Sequence, residues 1–305
     1  MLGAAFAAVI GVYFAGSPVA VEDPRPVFAA KVVAKRALAE AIVAAYALRR
    51  DGVPMPTPDA PVPPLPLSEL APVPALGGFL ASAPRGDLAR ARVLADWLAR
   101  SASFGPPRAD YLHRPTAEVL QAALDGEPFL CDDLARLYAR LAPRVGLDVR
   151  LVYLWAASEA NHVVAEVYSR ELGRWVMVDV LENLVLLGPG GTPLSALEAH
   201  LLVVGGQASA VSVASNAGGA DPARRFELAA YLRKYESVAY FLRSDLKRLH
   251  ALPRHHPANL LSQNMALYRG SRGWLPRLYY RQRIGAEQLA APPRRPRSPA
   301  AGPRS

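Results

Sequence analysis

Residues 129–179 read FLCDDLARLYARLAPRVGLDVRLVYLWAASEANHVVAEVYSRELGRWVMVD, and they hold the only cysteine of the 305-residue chain, Cys131. From that cysteine Leu134, Leu137, Tyr138, Leu141 and Val145 recur at spacings of three and four, with Gly146 just beyond. The spacing predicts one helix with a single buried stripe and a C-terminal stop. Cys131 then stands at the helix N-terminus, where unpaired backbone N–H groups and the helix dipole favour negative charge and suit a thiolate, the reactive form of cysteine. Asp132 and Asp133 also suit a first turn, but their charge opposes a thiolate, so a cationic partner is required.

Downstream, Leu147 to Trp155, His162 to Tyr168 and Arg174 to Val180 are runs rich in β-branched and aromatic residues and predict three strands. The last two flank the short polar spacer Ser169 to Gly173, which predicts a hairpin loop. A turn centred between Arg170 and Glu171 would set His162 directly opposite Asp179, where cross-strand Cβ atoms lie about 4.5–5.5 Å apart and a carboxylate can orient and charge an imidazole. Val164, Glu166, Trp175 and Met177 are expected on that face. Val163, Ala165, Val176 and Val178 are expected on the other, an apolar surface fit for burial. A slip of one residue would send one of the two side chains to the opposite face, so the pairing depends on register.

The helix-opening cysteine (CDDLARLYARLAPRVGLDVRLV), Asn161-His162 opening a strand (NHVVAEVY), and Trp175 and Asp179 on the next (GRWVMVDV) resemble the core of the transglutaminase-like superfamily. The likeness spans roughly 105 to 205 and takes in PLSALEAH at 193 to 200. The chain differs in having Leu130, Val163 and Val180 where many members carry a glycine or aromatic, an aromatic and a proline. The resemblance implies an α+β fold of papain and transglutaminase type, in which a nucleophile helix packs on an antiparallel sheet, with extra helices at both ends. It also implies a catalytic triad of Cys131, His162 and Asp179.

Taken singly, each of these residues has an ordinary structural role open to it; their order and the predicted register are what make them a set. The chemistry they suggest is thiol acyl transfer. Cys131 would attack a peptide or carboxamide carbonyl, His162 would carry the proton to the leaving amine, and Asp179 would fix the imidazole tautomer. The Cys131 N–H is a natural oxyanion donor; Asn161, Tyr111 and Trp97 are candidates for a second. The rival from another class is a non-catalytic binding or assembly module of the cell envelope on the same fold. An arylamine acetyltransferase would share the triad, but a cofactor-binding signature is missing.

Composition bounds the remaining possibilities. With 51% apolar side chains the chain can bury a sizeable core, and the net charge of +9 comes almost wholly from arginine, since the lysines are only Lys31, Lys35, Lys234 and Lys247. Arginine bias alongside abundant alanine and proline matches a GC-rich bacterial coding bias, so the charge is not read as a nucleic-acid footprint. A single cysteine excludes an internal disulfide and leaves a thiol free to react. There is no Walker loop and no G-x-G-x-x-G, so no nucleotide cofactor is expected. Arg254-His255-His256-Pro257 lacks companion ligands at metal spacing, and no metal is expected either.

Outside the central stretch, Leu2 to Val21 is uncharged and long enough, at about 1.5 Å per residue, to cross a bilayer of about 30 Å. It is a membrane anchor, an export signal or a buried helix. The anchor is slightly preferred over the signal because the basic n-region is missing and Pro18 spoils the cleavage site. The positive residues that follow it favour a cytoplasmic body by the positive-inside rule, whereas the resemblance points to the envelope. Residues 22–53 contain a long helix (Val27 to Arg50), 54–78 form a proline-rich linker, 79–250 the main domain, 251–290 a C-terminal extension and 291–305 a disordered Arg/Pro tail. Within the domain, Asp87 to Arg100 and Thr116 to Leu124 predict amphipathic helices, the second capped by its threonine. Pro193 to Leu202 predicts a short helix and Gly205 to Ala220 a small-residue loop. Phe226 to Leu249 has helical spacing but contains ESVAYFL, which suits a strand, and both remain open.

Overall fold

A computed structural model of the chain describes residues 78, 79, 82, 84–109, 111, 114–156, 161–216, 227–241, 265–271 and 280–293. The expectations for the uncharged segment 1–21, the helix of 22–53, the proline-rich linker up to 77, the His255-His256 pair and the tail from 294 lie outside the described residues.

The architecture is α+β. In chain order, α1 (Asp87–Ser101) leads to β1 (Ser103–Phe104), then α2 (Thr116–Leu124), β2 (Pro128–Phe129) and α3 (Cys131–Leu141). β1 and β2 form a short parallel pair that guides the chain into α3. Pro115 occupies the position before α2, and Thr116, expected as the cap, is instead the first helical residue and buried. The start of α3 is capped by Asp133, whose carboxylate accepts from the Leu130 N–H at 3.4 Å. Its end tightens into a 3₁₀ turn at Ala142–Val145 and stops at Gly146, whose φ of 74° is the left-handed conformation that the glycine there predicts.

The sheet follows: β3 (Val149–Trp155), β4 (His162–Ser169) and β5 (Arg174–Val178) form an antiparallel meander. Next come β6 (Leu184–Leu187), α4 (Ala196–Val204), β7 (Ser212–Ser215), α5 (Leu228–Arg233), β8 (Ser237–Phe241), β9 (Met265–Tyr268), β10 (Tyr280–Ile284) and α6 (Ala286–Ala290). Six of the strands make one sheet in the order β10-β9-β8-β3-β4-β5, antiparallel except for the parallel β9–β10 pair. The stretch expected as an extension from 251 therefore supplies two strands to the same sheet. These pairings join residues far apart in sequence, where periodicity carries no signal. Of the open readings for 226–249, both hold: helix to Arg233, a 3₁₀ turn over Lys234–Glu236, then strand. Within the expected loop after Gly205, Ser212–Ser215 pairs with β6.

Both faces of the sheet are buried, which is why β3 and β4 are apolar almost without interruption. On one face Leu151, Val163, Ala165, Val167 and Val178 pack with Leu94 and Leu98 of α1, Leu120 of α2, and Leu134, Leu137, Tyr138 and Leu141 of α3. On the other, Val152, Leu154, Val164 and Met177 pack with β6, α4, α5, Ile284 and Leu289. The charge that this second face buries is paired. Arg150 reaches Glu166 through Nε at 2.6 Å, its guanidinium lies between the Trp175 and Tyr240 rings at 4.0 and 4.5 Å, and its Nη1 donates to the Leu289 carbonyl at 2.7 Å. Trp175 Nε1 donates to the Ala291 carbonyl at 2.9 Å, so the C-terminal helix is tied to the central strands.

The hairpin register differs from expectation. Ser169 pairs with Arg174 and Ala165 with Val178, so the loop is Arg170 to Gly173, centred one residue further on than the sequence suggested. Gly173, at φ 64°, closes that four-residue loop, a conformation that favours glycine. The turn is fixed from outside: Glu171 accepts from the Asp87 and Leu88 N–H groups at 2.8 and 2.9 Å, supplying the N-terminal cap that Gly86 cannot give α1.

Candidate active site

Moving the loop centre by one residue moves every cross-strand partner by two, and two is the period of a strand. His162 and Asp179 therefore stay on one face, but as diagonal rather than direct neighbours. Asp179 lies just beyond β5, level with Val164, and leaves the ladder for a bridge to Leu184, with backbone bonds of 2.9 and 3.0 Å. His162 Nε2 and Asp179 Oδ2 are 2.6 Å apart, and both residues are buried. Val164, Glu166 and Met177 share this face, as the alternation predicts.

The body of α3 packs against the opposite face, through Val163 and Ala165. It meets His162 because Cys131 is the first residue of its helix and His162 the first of its strand, and the Cys131 sulfur acts on the imidazole both as a hydrogen-bond partner and as a charge. With Nε2 committed to Asp179, Nδ1 is the ring nitrogen left to serve the sulfur. Cys131 is half-buried, so it borders solvent while its two partners do not.

The electrostatics follow from this burial. Desolvation pushes the basicity of His162 down, but the charge of Asp179, then that of Cys131, and hydrogen bonds to both raise its pKa from 6.5 to about 10. Burial pushes the Asp179 carboxyl up, and the His162 charge together with three hydrogen bonds more than offsets it, leaving the pKa below the usual 3.8. Those bonds come from His162, from the Tyr231 hydroxyl to Oδ2 at 2.6 Å, and from the Glu182 N–H to Oδ1 at 3.0 Å.

Tyr231 is a site residue that the helical spacing of Phe226 to Leu249 does not reveal; the available signal is that a tyrosine on a buried stripe must find a partner for its hydroxyl, and Tyr235 four residues on is a second such signal. Its ring stands edge-on to His162 with centroids 6.0 Å apart, and its hydroxyl lies 3.3 Å from that of Tyr235. Of the candidates for a second oxyanion donor, Tyr111 is stacked on Phe129 at 4.2 Å and gives its hydroxyl proton to Glu127 at 2.5 Å, which removes it from that role. Asn161 is exposed and donates to the Tyr153 hydroxyl at 2.7 Å; Trp97 stacks on Phe79 at 4.9 Å. The N–H of Cys131 belongs to the first helical turn, which has no partner within the helix. Among the described residues no group of three His, Cys, Asp or Glu side chains could hold a metal ion, and no helix is long and apolar enough to cross a membrane.

The site thus holds a cysteine at a helix N-terminus with a buried imidazole–carboxylate pair beside it. Residues 78–180 match the family model of the transglutaminase-like superfamily, from just before α1 to just past Asp179, and the chain carries a domain of that superfamily. No curated protein and no solved structure matches the chain significantly.

Proposed function

We propose that this domain is a thiol acyl-transfer enzyme acting on a peptide or carboxamide carbonyl through a thioester. The observation that carries the reading is the buried His162–Asp179 pair at 2.6 Å whose ring also engages the sulfur of Cys131. A buried imidazole held positive supplies the cationic partner that Asp132 and Asp133 make necessary. The Cys131 thiolate attacks the carbonyl carbon, a C–S bond forms, and the oxyanion is met by the Cys131 N–H. His162 gives its proton to the leaving nitrogen as the C–N bond breaks. Water or an amine then attacks the thioester, its proton passes to His162, and the thiolate departs. Asp179 keeps Nδ1 directed at the sulfur throughout.

The test is to incubate the protein with a peptide carrying a glutamine carboxamide, with and without hydroxylamine, and to follow free acid and hydroxamate by mass spectrometry. Product dependent on Cys131 is expected, and its partition between the two identifies hydrolysis or transfer. A wild type and a Cys131→Ser variant that both yield none across peptide and ester donors would leave the binding or assembly module as the function.

The uncharged run Leu2 to Val21 supports a membrane-anchored or exported protein, and the proposed thiol chemistry supports a peptide, protein or envelope-polymer substrate. The full chain is expected in the membrane fraction and a chain lacking residues 1–22 in the soluble fraction, both folded. Unfolding on that deletion would make the segment part of the core instead.

A further inference from the structure

The carboxylate of Asp179 is aimed by a turn, residues 179–184, that is itself held from another element. Asn183 has a φ of 56°, the only non-glycine residue at positive φ among those described. Asparagine tolerates this conformation better than most side chains, at a cost that the surroundings must cover. Its side chain is used: Nδ2 donates to Asp96 Oδ1 on α1 at 2.9 Å, with both residues buried. The other oxygen of Asp96 meets Arg100 at 2.5 Å. The Asn183 carbonyl accepts from the Asn216 N–H at 3.0 Å, so the turn is gripped on both sides. Between these grips lie the Glu182 N–H bound to Asp179 Oδ1 and the paired bridge from Asp179 to Leu184.

We propose that Asp96 and Asn183 are positioning residues: the buried bond between them locks the 179–184 turn to α1 and so fixes the Asp179 carboxylate against His162. The proposal rests on reading Cys131, His162 and Asp179 as the reacting set, although neither Asp96 nor Asn183 touches substrate. Misplacement by about 1 Å from a distant change can cost about 100-fold in rate. Without the tether the left-handed turn loses what holds it, and the imidazole loses a fixed partner.

Four variants of the full chain test this: Asp96→Ala, Asp96→Asn, Asn183→Ala and Asn183→Gly. Asp96→Asn retains an acceptor for Asn183, and Asn183→Gly retains the turn's preferred φ without the tether. Hydrolysis of p-nitrophenyl acetate is measured with thermal melting as the folding control, and the ring titration of His162 is followed by ¹⁵N NMR, assigned against His162→Ala. Asp96→Ala, Asn183→Ala and Asn183→Gly are expected to lose about 10- to 100-fold in kcat with KM nearly unchanged. They are also expected to lower the His162 midpoint from about 10, while Asp96→Asn stays within about threefold of wild type. The proposal is overturned if folded Asn183→Gly matches wild type in both kcat and midpoint, since conformational preference alone would then suffice. It is equally overturned if Asp96→Asn falls as far as Asp96→Ala. A wild type that hydrolyses no ester counts against the acyl-transfer reading, and the His162 midpoint, read without substrate, still decides the tether.

Discussion

Replacing His162 with alanine is expected to lower Cys131-dependent turnover by about 10⁴-fold or more, the scale of loss seen when one member of a catalytic triad is removed. The size follows from the double role of the ring. In the proposed mechanism it is both the positive charge beside the sulfur, held there by Asp179, and the carrier of the proton that the leaving group needs. Removing it takes away the cation that opposes Asp132 and Asp133, the acidic residues in the first turn of α3. Initial rates with p-nitrophenyl acetate, alongside circular dichroism to confirm the fold, measure the effect. A loss of less than about tenfold would show that the thiol works without this imidazole.

Asp179→Ala is expected to destabilise the fold by about 3–5 kcal/mol, because deleting one partner of a buried ion pair leaves the other charge uncompensated. For a domain of this size that corresponds to a fall of about 6–20 °C in the melting midpoint. The pH dependence distinguishes this mechanism from lost packing. His162 has a folded pKa of about 10, above its ordinary 6.5, so its contribution is complete below 6.5 and disappears as pH rises through about 10. Asp179 has a folded value below the ordinary 3.8, so its contribution is present above 3.8 and disappears as pH falls through the lowered folded value. The wild type should therefore hold a stability plateau bounded by these two losses. In Asp179→Asn, which keeps the shape and removes the charge, the alkaline loss should shift to lower pH. Melting curves from pH 3 to pH 11 that keep one shape in both proteins would contradict the ion pair.

How much of this was legible follows from the range of each interaction. The α3 stripe and its glycine stop are local patterns, and the helix starts at Cys131 as the spacing predicts. The His162–Asp179 pairing survived a wrong turn centre because strand faces repeat every two residues, so an error of two in register preserved the face while changing direct neighbours into diagonal ones. Gly173 closing the loop was the signal for the true centre. What sequence could not supply were partners distant along the chain: Tyr231 on Asp179, 52 residues away, Asp96 on Asn183, 87 residues away, and the strands after 264 that complete the sheet. The Val163 and Val180 departures from the family pattern are both buried in the helix-side core, so they bear on packing beneath the site rather than on Cys131, His162 and Asp179 themselves.

The central claim is that Cys131 is a nucleophile made reactive by His162. Its most direct measurement is the rate at which an acetyl group from p-nitrophenyl acetate appears on Cys131, followed by rapid-quench intact mass and peptide mapping in wild type and His162→Ala. The account predicts acylation confined to Cys131, rapid in the wild type and slower by at least about 10³-fold in His162→Ala. Acylation at equal rates in the two proteins, or spread over other side chains with Cys131 unmodified, would contradict it.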